Sequence, residues 1–211
     1  MPEPRPEPLP LADRPESWPV SSSRHLFRDE WVMSLRADEV ARPDQGHERF
    51  RRLVLEHPGA VVVLAVDDQD RVLVLHQYRH AVEQRLVELP AGLCDVHGED
   101  ALATARRELL EEAQLEASSW EHLLTTHPSP GISSERIDIF LARDLAEAHP
   151  GEFEPAHEEA DMEVAWVPLG ELVAAVLESR VTDGPLGLAV LAYACHRHGG
   201  THLPPSPTRP A

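Results

Sequence analysis

ELPAGLCDVHGEDALATARRELLEEAQL, Glu88–Leu115, is the stretch on which the reading of the whole chain turns. It leaves a short strand at Glu88-Leu89, bends at Pro90-Ala91-Gly92, crosses a loop containing Gly98, and enters a segment of helical periodicity from Asp100 to Gln114. On a helical wheel Leu102, Ala105, Leu109 and Ala113 share one face, spaced by three or four residues. Glu108, Glu111 and Glu112 fall together on a neighbouring arc, because i, i+3 and i+4 are surface neighbours. Like charges at that spacing cost a helix about 0.2–0.5 kcal/mol per pair. Arg107 offsets part of this through an i+4 pair with Glu111. A divalent cation would offset more, and Mg²⁺ suits a few convergent carboxylates that leave room for water and phosphate. A solvated helix face remains the other reading, since most charge runs are solvated.

What precedes the helix bears on that choice. Glycine permits close backbone approach to a ligand. A strand end, a tight Gly loop and a carboxylate helix can aim a backbone carbonyl and several side-chain oxygens at one point.

Outward from this stretch, most strand-like segments come in adjacent pairs. His25–Leu35 and Arg52–His57 read as strands. Ala60–Arg79, AVVVLAVDDQDRVLVLHQYR, places two β-branched runs around Asp67-Asp68-Gln69-Asp70 and predicts a hairpin. Arg85–Leu89, Trp120–Thr126, Arg136–Ala142 and Glu163–Val167 read as further strands. Helices follow at Leu169–Glu178 and Leu186–His198. Regular βαβ alternation is absent, so the expected architecture is α/β, a mixed β-sheet with helices on its faces. The Pro-rich ends, residues 1–19 and 201–211, are expected to be disordered tails. Residues 20–57 then form an N-terminal strand region and 58–200 the main domain.

Composition narrows the function. Asp and Glu number 37 against 19 basic residues, all of them Arg, for a formal net charge of -18. This argues against nucleic acid or an anionic membrane surface as partner, since both need a basic patch. A phosphorylated small molecule stays compatible, held by local arginines and a cation. Two cysteines, Cys94 and Cys195, give no disulfide framework and no CxxC, which fits a reduced cytoplasmic setting. The N-terminus carries no apolar signal-peptide core, and no apolar run approaches the roughly 20 residues of a membrane span.

The central stretch resembles the signature of the Nudix hydrolases: Gly, five residues, Glu, seven residues, Arg-Glu-apolar-x-Glu-Glu-x-Gly-apolar. Gly92, Glu99, Arg107, Glu108, Leu109, Glu111, Glu112 and Leu115 take those places. Six residues rather than five separate Gly92 from Glu99, and Gln114 stands where the signature has Gly. The first departure leaves the glutamate register intact. The second falls at the helix end, where Gly often serves as a cap, and predicts an altered helix exit. HPGAVVVLAVDD, LHQYRHAVEQRLVELPAGL, SPGISSERIDIFLARDL and EEADMEVAWVPLGELVAAVLESRVTD resemble the ADP-ribose pyrophosphatase branch of that family, together covering roughly residues 52–183.

The resemblance implies a Nudix-type α/β/α sandwich with an N-terminal strand extension. It implies metal ligation by Glu108, Glu111, Glu112 and the Ala91 carbonyl, with Mg²⁺ as cofactor and Mn²⁺ as the alternative. Gly92, Glu99 and Arg107 would brace the helix. Glu135, the one carboxylate of the loop His127–Glu135, would act as base or extra metal ligand, beside Glu111 as a second catalytic carboxylate. Arg79, delivered by a buried-type strand, has the planar fork suited to phosphate. The implied reaction is hydrolysis of ADP-ribose to AMP and ribose 5-phosphate. The implied assembly is a homodimer in which the N-terminal strands help form the partner's adenine pocket and Arg52 reaches the partner's substrate. Two alternatives stay open: a Nudix hydrolase of another nucleoside diphosphate derivative (nucleotide-sugar, dinucleoside polyphosphate, NADH), and a catalytically silent ADP-ribose sensor. A further acidic group, Glu158, Glu159 and Asp161 after His157, reads as a solvated loop, and Cys195–His198 as a basic helix end.

Overall fold

The computed structural model describes residues 11–43, 48–151, 161–197 and 199. The expectations for residues 1–10 and 201–211, and for His157, Glu158 and Glu159, fall outside that range. The chain is α/β, with ten strands and three helices among the described residues.

The centre is a mixed four-stranded sheet in the order β7-β4-β9-β8, from β4 (Ala60–Ala65), β7 (Ala91–Leu93), β8 (Leu115–Thr126) and β9 (Ile137–Glu147). β4 runs parallel to β9, and the other pairs are antiparallel. A second sheet, β10-β5-β6, is antiparallel and uses β5 (Arg71–Arg79), β6 (Gln84–Glu88) and β10 (Glu163–Pro168). β4 explains why AVVVLA carries no polar alternation. Val62 and Leu64 face one core, which also holds Ile139, Leu141, Leu172, Leu186 and Tyr193. Val61, Val63 and Ala65 face the other, with Leu73, Leu75, Ala105, Leu109 and Phe140. A strand covered on both faces has no solvent side to mark with polar residues. Helix α1 (Ala101–Ala113) covers one face, while α3 (Gly184–Arg197), backed by α2 (Leu169–Leu177), covers the other.

The N-terminal region forms a separate antiparallel sheet, β1-β2-β3, from β1 (Val20–Arg28), β2 (Ser34–Ala41) and β3 (Arg49–Glu56). The residues just before β1, placed in the expected tail, lie against this sheet: Ala41 donates to the Pro19 carbonyl at 3.0 Å, and Trp18 meets Phe50 edge to face.

Three expectations need correction. His25–Leu35 is not one strand; it spans the end of β1, a turn, and the start of β2, with Phe27 registered against Leu35. Polar and apolar residues through Asp29 and Glu30 mimicked an alternation. Asp67–Asp70 does make a tight turn, with Asp67 accepting from Arg71 and Gln69, yet β4 and β5 are no hairpin. Beyond a bridge at Val66–Val72 they diverge into different sheets. Local sequence sets the turn, while the choice of strand partner is made by the cores. Finally, Pro90-Ala91-Gly92 is more than a turn: Ala91–Leu93 is a short strand paired with β4, Val62 opposite Ala91.

Candidate active site

A cleft of about 830 Å³ opens where β5, β6, β7, α1 and the loop before β9 meet. Its walls include Ala91, Gly92, Arg107, Glu108, Glu111, Glu112, Arg79 and Glu135, so eight of the ten residues singled out from the sequence are in one place. Glu99 stands just behind the wall, on Arg107. Arg52 is elsewhere.

The glutamate helix is positioned at both ends. Asp100 caps α1 by accepting the Ala103 amide at 2.8 Å, which satisfies an otherwise orphaned N–H. Ala105 and Leu109 are fully buried against the sheet, and this turns the glutamate arc toward β7. Glu108 lies so close to Gly92 that a Cβ built there would overlap its carboxyl group and stand 2.6 Å from its Cγ. A Cβ at position 92 would therefore displace the Glu108 side chain, although the backbone conformation there is one that other residues could adopt. Glu112 accepts the Ala91 amide at 2.9 Å, fastening the helix to the strand. Arg107 reaches Glu108 at 2.8 Å, Glu111 at 3.0 Å and Glu99 at 3.4 Å. Burial opposes its charge, but Glu108, Glu111 and Glu99 outweigh this and hold its pKa above the usual arginine value. The extra residue in the loop does not disturb the brace, because Gly98 (φ +90) and an Asp100 cap return Glu99 to Arg107 and Thr104.

Gln114 departs from expectation. The helix exit is not altered: Gln114 itself takes the left-handed conformation, φ 55 and ψ 39, and its amide donates to Leu110 as a capping glycine's would. Its carbonyl accepts from Ala148, which fixes this strained geometry from outside the helix.

Arg79 ends β5 and pairs with Glu88 at the end of β6, through Nε to Oε1 at 2.8 Å and Nη2 to Oε2 at 2.5 Å. That hydrogen bonding to Glu88 keeps the guanidinium pKa raised despite burial. Glu88 is only 6% exposed, so the pair is a fixed fork at the cleft wall. Asp183 lines the same wall and accepts the Leu186 amide at 2.8 Å at the start of α3. Burial, and next the charge of Glu88, push its carboxyl up to about 6, against the Leu186 amide and Arg79, which pull it down.

Glu135 sits on the loop before β9. Its amide donates to Ser133 Oγ at 3.1 Å and its carbonyl pairs with His127 Nδ1 at 2.7 Å. Its Oε1 is 3.7 Å from His57 Nε2, and His57 also lines the cleft.

Arg52 is not brought to the cleft. It projects from β3 over the Phe50 ring, 4.3 Å from the centroid. Glu88, Asp183 and His57 were missed in the sequence, although two carried local signals. Asp183 precedes Gly184-Pro185-Leu186, a helix start, and Glu88 is a carboxylate within an apolar strand. His57 gave none. Of the second acidic group only Asp161 is described, and it pairs with Arg85. Arg136 pairs with Asp138 at 2.7 Å, away from the glutamates.

Among the described residues no three His, Cys, Asp or Glu side chains converge as a metal-holding group. Glu108, Glu111 and Glu112 instead hold Arg107 and the Ala91 amide. Their chemistry nevertheless fits a hard divalent cation: the donors are carboxylate oxygens on one wall, drawn together by the close approach of Glu108 to Gly92.

A NUDIX domain model matches residues 56–185. The chain is 42% identical over 161 residues to an ADP-ribose pyrophosphatase of Mycobacterium tuberculosis, covering 76% of each protein. It is 31% identical over 159 residues to a methanol dehydrogenase activator of Bacillus methanolicus, covering 75% of this chain and 83% of that one. A crystal structure of an ADP compounds hydrolase superposes with a TM-score of 0.67 at 18% identity, over 90% of this chain and all of the other.

Proposed function

The chain belongs to the NUDIX domain family, and from that premise we propose that it hydrolyses the pyrophosphate bond of ADP-ribose, giving AMP and ribose 5-phosphate with Mg²⁺ as cofactor. One observation carries the reading. A single cleft gathers the helix glutamates, the Ala91 segment, Arg79 and Glu135, the chemistry a diphosphate needs, and the relative with 42% identity is an ADP-ribose pyrophosphatase.

Glu108, Glu111, Glu112 and the Ala91 carbonyl would hold the cation. When bound, a divalent cation supplies charge neutralisation at phosphate oxygens and makes a neighbouring water easier to deprotonate. The residues of the chain do the rest. Arg79, with Nε and Nη2 committed to Glu88, offers its Nη1 edge to a phosphate oxygen and fixes the diphosphate by geometry as well as charge. Glu135 faces the cleft across from the glutamate helix and takes the proton of the attacking water. Trp31 and Met33, which also line the cleft, offer an aromatic and an apolar side chain against which a purine can pack. Arg52 contributes only across a homodimer formed through the N-terminal sheet.

The test is product analysis with a panel of nucleoside diphosphate compounds, with and without chelator. AMP from ADP-ribose, abolished by chelator and by Glu112→Gln, is the expected result. Faster turnover of a nucleotide-sugar, dinucleoside polyphosphate or NADH would reassign the substrate. Tight ADP-ribose binding without turnover in any divalent metal would make the chain a sensor.

A further inference from the structure

We propose that His57 is a positioning residue for Glu135, holding that carboxylate at the cleft through its Nε2. The inference rests on the reading of Glu135 as the group that takes the proton.

The geometry begins with the ring itself. The His57 side chain is 6% exposed, and its Nδ1 accepts the Gly59 amide at 3.1 Å. A ring nitrogen that accepts a backbone N–H carries no proton, so the neutral imidazole bears its hydrogen on Nε2. Nε2 is the atom turned toward Glu135, 3.7 Å from Oε1. Such contacts are commonly long before substrate arrives and tighten in the complex. Gly59 can hold the ring this way because its φ of +100 is open to glycine, and its carbonyl takes the Cys94 amide at 3.0 Å, two residues beyond Gly92.

Glu135 cannot drift from this ring independently. Its loop is sewn to the end of β3: Leu55 donates to the Ile132 carbonyl at 2.8 Å, Ser134 to the Leu55 carbonyl at 3.0 Å, and the His57 amide to Ser134 Oγ at 3.0 Å. Behind it the Ala60 amide donates to the Arg136 carbonyl at 2.9 Å. Ring and carboxylate therefore ride on one backbone unit, with a donor facing one carboxylate oxygen. At 3.7 Å the Nε2 donor is not yet bonded to Oε1; on tightening it would fix the carboxylate rotamer and leave Oε2 as the oxygen that meets water. His57 also lines the cleft, so the split between kcat and KM separates a role through Glu135 from direct contact with substrate.

Two substitutions separate the two contacts of the ring. Asn at position 57 can accept the Gly59 amide but is too short to reach Glu135, whereas Gln places an N–H donor where Nε2 stood. Steady-state ADP-ribose hydrolysis would be measured for His57→Asn, His57→Gln, Glu135→Gln and the Glu135→Gln/His57→Asn double variant, with thermal melting of each. His57→Asn should lower kcat about 10-fold with KM within about twofold, and His57→Gln should recover kcat to within about threefold, in the range of supporting residues that orient a catalytic group. On the Glu135→Gln background His57→Asn should cost nothing further, because the group it positions is already gone. His57→Leu, which fills the ring volume without a donor, carries the same expectation if the Asn variant does not fold. Equal loss in the Asn and Gln variants, a rise in KM at unchanged kcat, or additive loss in the double variant would overturn the proposal. Wild-type kcat in Glu135→Gln sinks the reading of Glu135 and this inference together. A disabled Glu135→Gln beside a fully active His57→Asn sinks this inference alone.

Discussion

Gly92 shows how one atom can govern a site. Position 92 has ordinary strand backbone, but the Glu108 carboxyl occupies the space a Cβ would need. In Gly92→Ala the flexible end of Glu108 must move, while the buried face of α1 need not. If Glu108 holds the metal as proposed, the expected result is a kcat lower by about 100-fold, the upper range for disturbing the support of a metal ligand, with little change in Tm; parallel kinetics and melting check it. Gln114 presents the reverse case, a residue whose side chain matters less than its backbone. A left-handed conformation costs a residue with a Cβ roughly 1–2 kcal/mol, part of which glycine returns as chain entropy. Gln114→Gly should therefore stabilise the protein by about 0.5–1 kcal/mol, seen as a higher urea midpoint at unchanged m-value.

At the scale of elements, α3 begins on a carboxylate that is costly to ionise. Asp183 caps the helix through the Leu186 amide, yet burial raises its carboxyl from 3.8 to about 6. An acid raised on folding binds more protons in the native state across that window, so stability present below it is lost as pH rises through about 6. Asn keeps the cap acceptor and cannot ionise. Asp183→Asn should leave Tm unchanged near pH 4 and raise it at neutral pH by a few degrees, roughly 2–4 °C per kcal/mol for a chain of this size. Melting curves across the window decide it. A Tm lowered equally at all pH values would mean that only the cap had been damaged.

At the scale of the whole molecule, the N-terminal sheet carries the most exposed strand. Every residue of β1 is exposed, including Val20, Leu26 and Phe27. β2 is covered along its length, so the uncovered apolar residues are concentrated on the edge strand β1, where a partner surface would hide them. The proposed homodimer would supply that surface and give Arg52 its only route to a substrate. Phe27→Glu should then shift sedimentation toward monomer and raise KM, with the fold of the main domain retained. A monomeric wild-type protein with full activity would remove both the dimer and the role of Arg52.

The sequence by itself determined the helix, its buried face and its glutamate register. These are local: they depend on spacing along 28 residues, Glu88–Leu115, and on steric rules that operate within a turn or two. The residue types also pointed to oxygen donors and arginines, rather than thiols or a basic groove, and the cleft is lined by glutamates and two arginines. Strand partners were beyond its reach. AVVVLA and RVLVLH carry the same apolar run whether they form a hairpin or, as here, sit in two sheets between two cores. The site residues found only in three dimensions share that cause. Glu88 matters because β6 ends beside β5 and Arg79, Asp183 because α3 begins at the cleft wall, and His57 because a loop 77 residues downstream is tied to its backbone. Such pairings are decided by which surfaces the cores bring together, a quantity that no single segment encodes.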